Sequence, residues 1–340
     1  MKVCIHFFSA TGNTARAVRL VGEQLEKAGH GVSYFPVRGD SAPPADIPDL
    51  TVVAFPIWSW AAPHFVLNYV RRLPRAAGAR AAVLSTCGGF GAQGVEEAVR
   101  LLQSRGYRVA CSGEAVYPDN WTLAMSPPAG EELNKKLATG DDCVRKFAGE
   151  LLSDSPSLFH CAFGHKVWSW PIAMLFRLFG RRVMGKAFAA DATCTSCGLC
   201  AKTCPVGAIR MKGSPARPRW NAGCAACFRC INLCPARSIQ VSVARLGLHL
   251  GVNLAMTVAW AFSIPWMSGQ MAVLPPMARG AATIFVALAA YAAACAVQIT
   301  VLDGLLNAVA SWSPLREFFL KSHTRSFGRY RAPGFKPEGP

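Results

Sequence analysis

Eight of the chain's fourteen cysteines fall in two runs that repeat at thirty residues. Cys194, Cys197, Cys200 and Cys204 precede Pro205; Cys224, Cys227, Cys230 and Cys234 precede Pro235. Three thiols of each run share one tight loop and can hold three corners of an iron–sulfur cubane, while the fourth can reach across to the other centre. The spacing predicts two [4Fe-4S] clusters, one on Cys194, Cys197, Cys200 and Cys234, the other on Cys224, Cys227, Cys230 and Cys204. Structural zinc is the competing chemistry, but zinc ribbons draw two CxxC pairs from separate hairpins and have no use for four cysteines per run with a trailing proline. Ile209 and Ile239 also match across the repeat, as core residues of a pseudo-twofold unit should. Thiols clustered in this way point to metal binding in a reducing compartment rather than to a disulfide scaffold.

A second constellation stands near the N-terminus, where Ser9-Ala10-Thr11-Gly12-Asn13-Thr14 follows an apolar run and opens a helix-period segment. Backbone N–H groups at a helix N-terminus, with hydroxyls close by, cradle a phosphate dianion. The hexapeptide is neither GxGxxG nor GxxxxGK[ST], which weakens dinucleotide and ATP readings. Two further loops accompany it: Pro56-Ile57-Trp58-Ser59-Trp60, and Thr86-Cys87-Gly88-Gly89-Phe90-Gly91. An aromatic ring there can stack on a planar cofactor, and glycines allow backbone to approach it. Cys87 could touch such a cofactor or simply fill space.

These motifs need a scaffold that brings the three loops together. Runs 2–8, 31–37, 51–55, 80–86 and 108–116 read as strands, and 15–28, 63–73, 93–105 and 131–152 as helices. Strand and helix in turn predict a parallel, doubly wound α/β sheet, whose loops emerge side by side at its carboxyl edge. The loop 9–14 on the first strand-to-helix turn resembles the phosphate loop of flavodoxins, and the other two loops stand where flavodoxins bind the isoalloxazine. The resemblance covers residues 1–152 and implies FMN held by Ser9, Thr11, Gly12, Asn13, Thr14, Pro56, Ile57, Trp58, Ser59, Thr86, Cys87, Gly88 and Gly89. Residues 191–243 resemble a small α+β bacterial two-cluster ferredoxin. The joined pattern is similar to the flavodoxin–ferredoxin fusion proteins, which implies electron transfer between FMN and clusters within one chain.

The rest of the chain has a different character. Charged residues are 16% of the total, and the net charge of +17 is uneven. Residues 1–150 carry 16 basic and 14 acidic side chains, leaving 20 and 5 for residues 151–340. Residues 246–266 contain no charge, and 280–302 are 23 uncharged residues rich in alanine, valine and leucine. Each run is long enough to cross a hydrocarbon core of about 30 Å; a pair of buried helices in a soluble domain is the alternative. Bases crowd both outer flanks (Arg237, Arg245; Arg316, Lys321, Arg325), whereas the connection has only Arg279. The positive-inside tendency then predicts a transmembrane hairpin over 245–302 in the cytoplasmic membrane, with both termini and all cofactors on the cytoplasmic side. Met1 to Ser9 is too short for a signal peptide. Gly247, Gly251, Ala255 and Ala259 recur every four residues, a stripe that would let a second helix approach through Ala289 and Ala293.

Residues 153–190 connect the two redox modules and mix Trp168, Trp170, Phe176 and Phe179 with His165, Lys166, Arg177, Arg181, Arg182 and Lys186. Such a segment either lies among lipid headgroups or docks the modules together. Residues 303–340 read as a helix from Ser313 ending in a basic cytoplasmic coil. His249 and Asn253 share a face of the first apolar run, where they could bind a quinone head or line the hairpin. Cys4, Cys111, Cys143, Cys161 and Cys295 read as core fillers. The expectation is a membrane-anchored iron–sulfur flavoprotein that carries electrons between FMN, two clusters and a membrane acceptor or donor. That partner would be a quinone, an integral-membrane enzyme or a lipid-soluble substrate, with a soluble donor such as a ferredoxin. The alternative is a redox-sensing or assembly subunit recruited to the membrane. Nucleic acid is not expected as a partner, because the bases flank apolar segments and so suit lipid headgroups.

Overall fold

A computed structural model describes residues 1–153, 157–309 and 313–337. Five strands, β1 (Lys2–Phe7), β2 (Gly31–Pro36), β3 (Leu50–Pro56), β4 (Arg80–Cys87) and β5 (Arg108–Val116), form one sheet in the order β2-β1-β3-β4-β5. All four pairings are parallel, with Ile5 opposite Tyr34 and Val52 in register. The central strands read as unbroken apolar runs because helices cover both faces. Four helices do so: α1 (Asn13–Lys27), α2 (His64–Arg72), α3 (Gly94–Ser104) and α4 (Gly130–Leu152). One core lies under α1 and α4 around Ile5, Val52 and Leu84; the other lies under α2 and α3 around Phe55, Tyr69 and Leu102. The doubly wound sheet expected from the alternation is therefore present, and the strand order reverses between β1 and β3.

The connecting segment runs alongside this domain. Its start pairs with the sheet edge, Ser112 N–H donating to Ser157 O at 2.7 Å. Then α5 (Phe163–Leu175), a wider turn at Phe176–Gly180 and α6 (Arg181–Ala187) cross towards the cysteine runs. There β6 (Phe188–Ala190) pairs antiparallel with β9 (Ile239–Val241), and β7 (Ile209–Lys212) with β8 (Arg217–Trp220). Short helices α7 (Leu199–Lys202) and α8 (Arg229–Leu233) follow the cysteine loops. The repeat extends to the backbone: Ser196 and Ala226, Gly198 and Phe228, and Gly207 and Arg237 all take positive φ.

Two long helices follow, α9 (Val243–Gln270) and α10 (Pro276–Val297), the latter continued by a wider turn at Gln298–Leu302 and by α11 (Asp303–Val309). Both are long and apolar enough to cross a membrane. They are not buried in this chain, since Leu254, Phe262 and Phe285 are 67%, 81% and 73% exposed. The small-residue stripe does not close the hairpin: Gly247, Gly251, Ala255 and Ala259 face outward, as do Ala289 and Ala293, and nothing lies within 4 Å of a Cβ built on Gly247 or Gly251. A polar ladder closes it instead. Gln298 donates to His249 O at 2.6 Å, and Asn253 donates to Gln298 Oε1 at 2.6 Å. Tyr291 Oη lies 3.1 Å from Asn253 Oδ1, and Trp260 Nε1 donates to Ala287 O at 2.7 Å. Each satisfied pair across the two helices fixes their register.

After α12 (Ser313–Leu320) the chain does not end as a free basic coil. It returns to the first domain, where Tyr330, Ala332 and Phe335 are buried in the core under α1. The capping side chain expected at Ser313 lies outside the described residues.

Candidate functional site

The carboxyl edge of the sheet opens into a cavity of about 620 Å³. Loop 9–14 forms its inner end. Gly12 precedes α1 with φ 113, and no side chain caps the helix, so the amides of its first turn remain open donors. Gly12 itself does not line the cavity, contrary to expectation. A Cβ there would stand 2.7 Å from those of Ala332 and Phe335, so glycine is needed for its left-handed backbone and for the tail packed behind it. Two hydroxyls expected at a phosphate are already engaged. Thr14 Oγ1 is 2.7 Å from Thr86 Oγ1, and Thr11 Oγ1 accepts from Asn120 Nδ2 at 2.8 Å. Asn13 donates to Pro118 O at 2.8 Å and accepts from Tyr330 Oη. The loop is held rigid by its neighbours, which leaves backbone amides as its main anion donors.

Every other residue expected at the cofactor lines this cavity: Ser9, Thr11, Asn13, Thr14, Pro56, Ile57, Trp58, Ser59, Thr86, Cys87, Gly88 and Gly89. Trp58 also packs edge-on against Phe8 at 5.8 Å. Trp60 leans across to Trp168 at 4.9 Å and to Phe90 at 6.1 Å, making an aromatic rim. A Cβ on Gly88 would meet Asp119 Oδ2 at 2.6 Å, so this glycine lets the loop after β5 close in. Burial pushes the Cys87 thiol up to about 12, which makes it a neutral wall rather than a nucleophile.

Sequence reasoning missed two sets of residues. Pro118, Asp119, Asn120 and Trp121 form a fourth loop on the same edge, which their position directly after β5 could have signalled. The outer wall comes from Ile172, Leu175, Phe176 and Met184 of the connecting segment. That segment docks on the modules through its bases: Lys166 pairs with Glu96 at 2.7 Å, Arg177 with Glu97, and Arg181 donates to Cys224 O at 2.9 Å.

The cysteines gather into the two predicted sets. Cys194, Cys197, Cys200 and Cys234 ring one small cavity; Cys204, Cys224, Cys227 and Cys230, with Cys200 at the edge, ring another. Among the described residues no three Cys, His, Asp or Glu side chains converge closely enough for a single metal ion. Burial pushes Cys200 up to about 11 and Cys224 and Cys227 up to about 12, and a bound metal centre would favour their thiolates. Cys197 is exposed, whereas Cys224 and Cys230 are buried. Ala226 and Phe228, between the second run's ligands, line the large cavity as well. Of the remaining cysteines, Cys111, Cys161 and Cys295 are buried and Cys4 and Cys143 half-buried.

Residues 191–210 match the family model of a 4Fe-4S binding domain. No curated protein matches the chain. Among solved structures, a flavodoxin of Streptococcus pneumonia TIGR4 is 20% identical, covering 45% of this chain and 99% of that one, with a TM-score of 0.34. Flavodoxin 2 from Bacillus cereus is 18% identical over 43% and 99%, TM-score 0.30. The Flv1 flavodiiron core from Synechocystis sp. PCC6803 is 13% identical over 45% and 36%, TM-score 0.31. With its parallel strand order and its cysteine loops, the chain joins a flavodoxin-like fold to a 4Fe-4S binding domain, the architecture of an iron–sulfur electron-transfer protein.

Proposed function

We propose that the chain is a membrane-anchored iron–sulfur flavoprotein that relays electrons between a soluble one-electron donor, such as a ferredoxin, and FMN through two [4Fe-4S] clusters. The observation that carries this reading is shared by two sites: Ala226 and Phe228 belong both to the second cysteine loop and to the wall of the large cavity. The exposure of Cys197 in the first run supports an order of donor, first cluster, second cluster and flavin. The first cluster takes Cys194, Cys197, Cys200 and Cys234, the second Cys224, Cys227, Cys230 and Cys204; the thirty-residue match of positive-φ positions supports two like sites. The open amides of α1 receive the FMN phosphate, and loops 56–60, 86–90 and 118–121 receive the ring. When bound, FMN exchanges electrons singly or in pairs and so connects cluster chemistry to two-electron chemistry. The outward apolar faces of α9 and α10 lie in lipid, with both basic flanks in the cytoplasm.

Anaerobic purification from membranes should yield one FMN and about eight iron per chain. In stopped flow with reduced ferredoxin, cluster bleaching should precede flavin reduction. Direct flavin reduction at an unchanged rate in Cys227→Ala would refute the relay. Release of the full-length protein by carbonate without detergent would refute the anchor.

A further inference from the structure

The wall that faces the three ring-binding loops is made by Ile172, Leu175, Phe176 and Met184, with Phe228 beside them. None of these side chains carries a charge or a hydrogen-bonding hydroxyl or amide. The bases nearby are committed elsewhere, Arg177 to Glu97 and Arg181 to the carbonyls of Gly223 and Cys224. A substrate between a flavin and this wall meets apolar surface and finds no cation for a phosphate. A nicotinamide dinucleotide is poorly matched to such a slot.

The entrance is apolar too. Ile172 and Leu175 line the cavity, yet they are 43% and 62% exposed, so they form its rim. The same stretch turns Phe163, Val167, Trp170 and Leu178 outward. One residue further, Phe179 packs edge-on against Tyr291 of α10 at 5.7 Å. The rim thus meets the apolar hairpin at mid-length, where Tyr291 also touches Trp260 and Asn253 of α9, and apolar side chains lead from helices suited to lipid up to the mouth of the cavity.

Resting on the relay and anchor described above, we infer that this cavity opens beside the apolar hairpin and takes a planar, lipid-soluble redox substrate of the quinone class, admitted over Ile172 and Leu175. The quinone's two carbonyls become hydroxyls by taking two electrons and two protons from reduced flavin, which is left oxidised. Two single electrons from the clusters and two protons from water restore the reduced flavin.

The test uses the full-length protein in phosphatidylcholine nanodiscs and an azidobenzoquinone with a decyl chain. Illumination should label residues 172–184 or the facing loops at 88–90 and 121–125, and unlabelled decylbenzoquinone should suppress the label. Leu175→Glu, a charge at an exposed rim position, should cut labelling at least tenfold and raise the KM for quinone tenfold. Flavin content, iron content and the rate at which clusters reduce the flavin should stay unchanged. Label on α9 and α10 alone, or equal labelling of Leu175→Glu with its flavin and iron intact, would overturn the site. Flavin reduced by the clusters but not reoxidised by quinone would remove this site and leave the relay standing; clusters unable to reduce flavin would remove the relay itself.

Discussion

The C-terminal tail offers a direct test of how the cofactor loop is held. Phe335 is 5% exposed and lies beneath the Arg229 guanidinium, 5.8 Å from its carbon. Ala332 N–H donates to Thr11 O at 2.8 Å, Tyr330 N–H to Asn232 Oδ1 at 2.9 Å, and Arg229 to Ser9 O at 3.1 Å and to Pro337 O. In Phe335→Ala the tail loses roughly 1.5 to 3 kcal/mol of apolar burial and roughly 0.5 to 2 kcal/mol of cation–π attraction. Its few hydrogen bonds, at about 1 kcal/mol each, must still offset an ordering cost of about 1 to 2 kcal/mol per residue. The tail should therefore detach while the sheet domain stays folded. Thr11 O and Asn13 then lose their partners, and the phosphate loop must be ordered by the cofactor itself. A tenfold weaker FMN affinity, about 1.4 kcal/mol, is expected in fluorescence titration of flavin-depleted protein in detergent, with faster hydrogen exchange at residues 10–15. The reasoning fails if limited proteolysis removes the tail of this variant while FMN affinity and loop exchange stay as in the parent.

Three further outcomes are expected. Cys234→Ala should damage the cluster held mainly by the first run and Cys204→Ala the one held by the second, which paramagnetic spectra of the two variants would separate; damage confined to each residue's own run would reverse the assignment. Asn253→Leu, which breaks the ladder to Gln298 and Tyr291, should destabilise the hairpin by roughly 0.6 to 1.7 kcal/mol in detergent-unfolding titrations, whereas Gly251→Leu on the outward face should not. His6 is 2% exposed and shares a 2.7 Å hydrogen bond with Tyr69 Oη; burial lowers its pKa from 6.5 to about 4. Below pH 6.5 the unfolded chain takes a proton that the folded one refuses. Stability should therefore fall by roughly 3 kcal/mol from pH 6.5 to about 4, and His6→Phe should lose that part of the slope in urea unfolding followed by tryptophan fluorescence.

The sheet was legible because its central strands are short apolar runs between helix-period segments, buried on both faces as parallel strands usually are. The 4Fe-4S binding domain was legible because cluster chemistry fixes the spacing of cysteines within one loop. The outer half of the cavity was not. Ile172, Leu175 and Met184 lie far in sequence from loops 9–14, 56–60 and 86–91, and no periodicity records which surface a connecting helix will cover. The hairpin misled for another reason. A stripe of small residues at intervals of four is a strong pattern, but Asn253, Tyr291 and Gln298 sit one helix face away and satisfy one another's hydrogen bonds. Their pairing depends on two helices at once, so neither run alone discloses it. The tail was read as basic coil because Arg325, Arg329 and Arg331 dominate its composition, while its burial rests on Tyr330, Ala332 and Phe335.

The uneven charge of the chain also acquires a physical place. Arg229 is 7% exposed and lies close enough to Cys227 and Cys204 for their charges to act on it; Arg181 stands in the same relation to Cys224 and Arg329 to Cys234. Arg38 joins them, donating to Cys204 O at 3.1 Å. Burial, and after it a neighbouring guanidinium in each case, pushes Arg181, Arg229 and Arg329 down, so gathering them here costs stability unless negative charge accompanies them. Thiolates holding a bound cubane would supply that charge, and Arg181 and Arg38 in turn hold carbonyls of the cysteine loops in place. Each added electron makes a cluster more negative, and a surrounding shell of fixed positive charge favours that state, which raises the potential at which the cluster accepts it. The basic excess of residues 151–340 thus has two places in the structure, at the feet of the apolar helices and around the buried cysteine sites, where it would make a bound cluster easier to reduce.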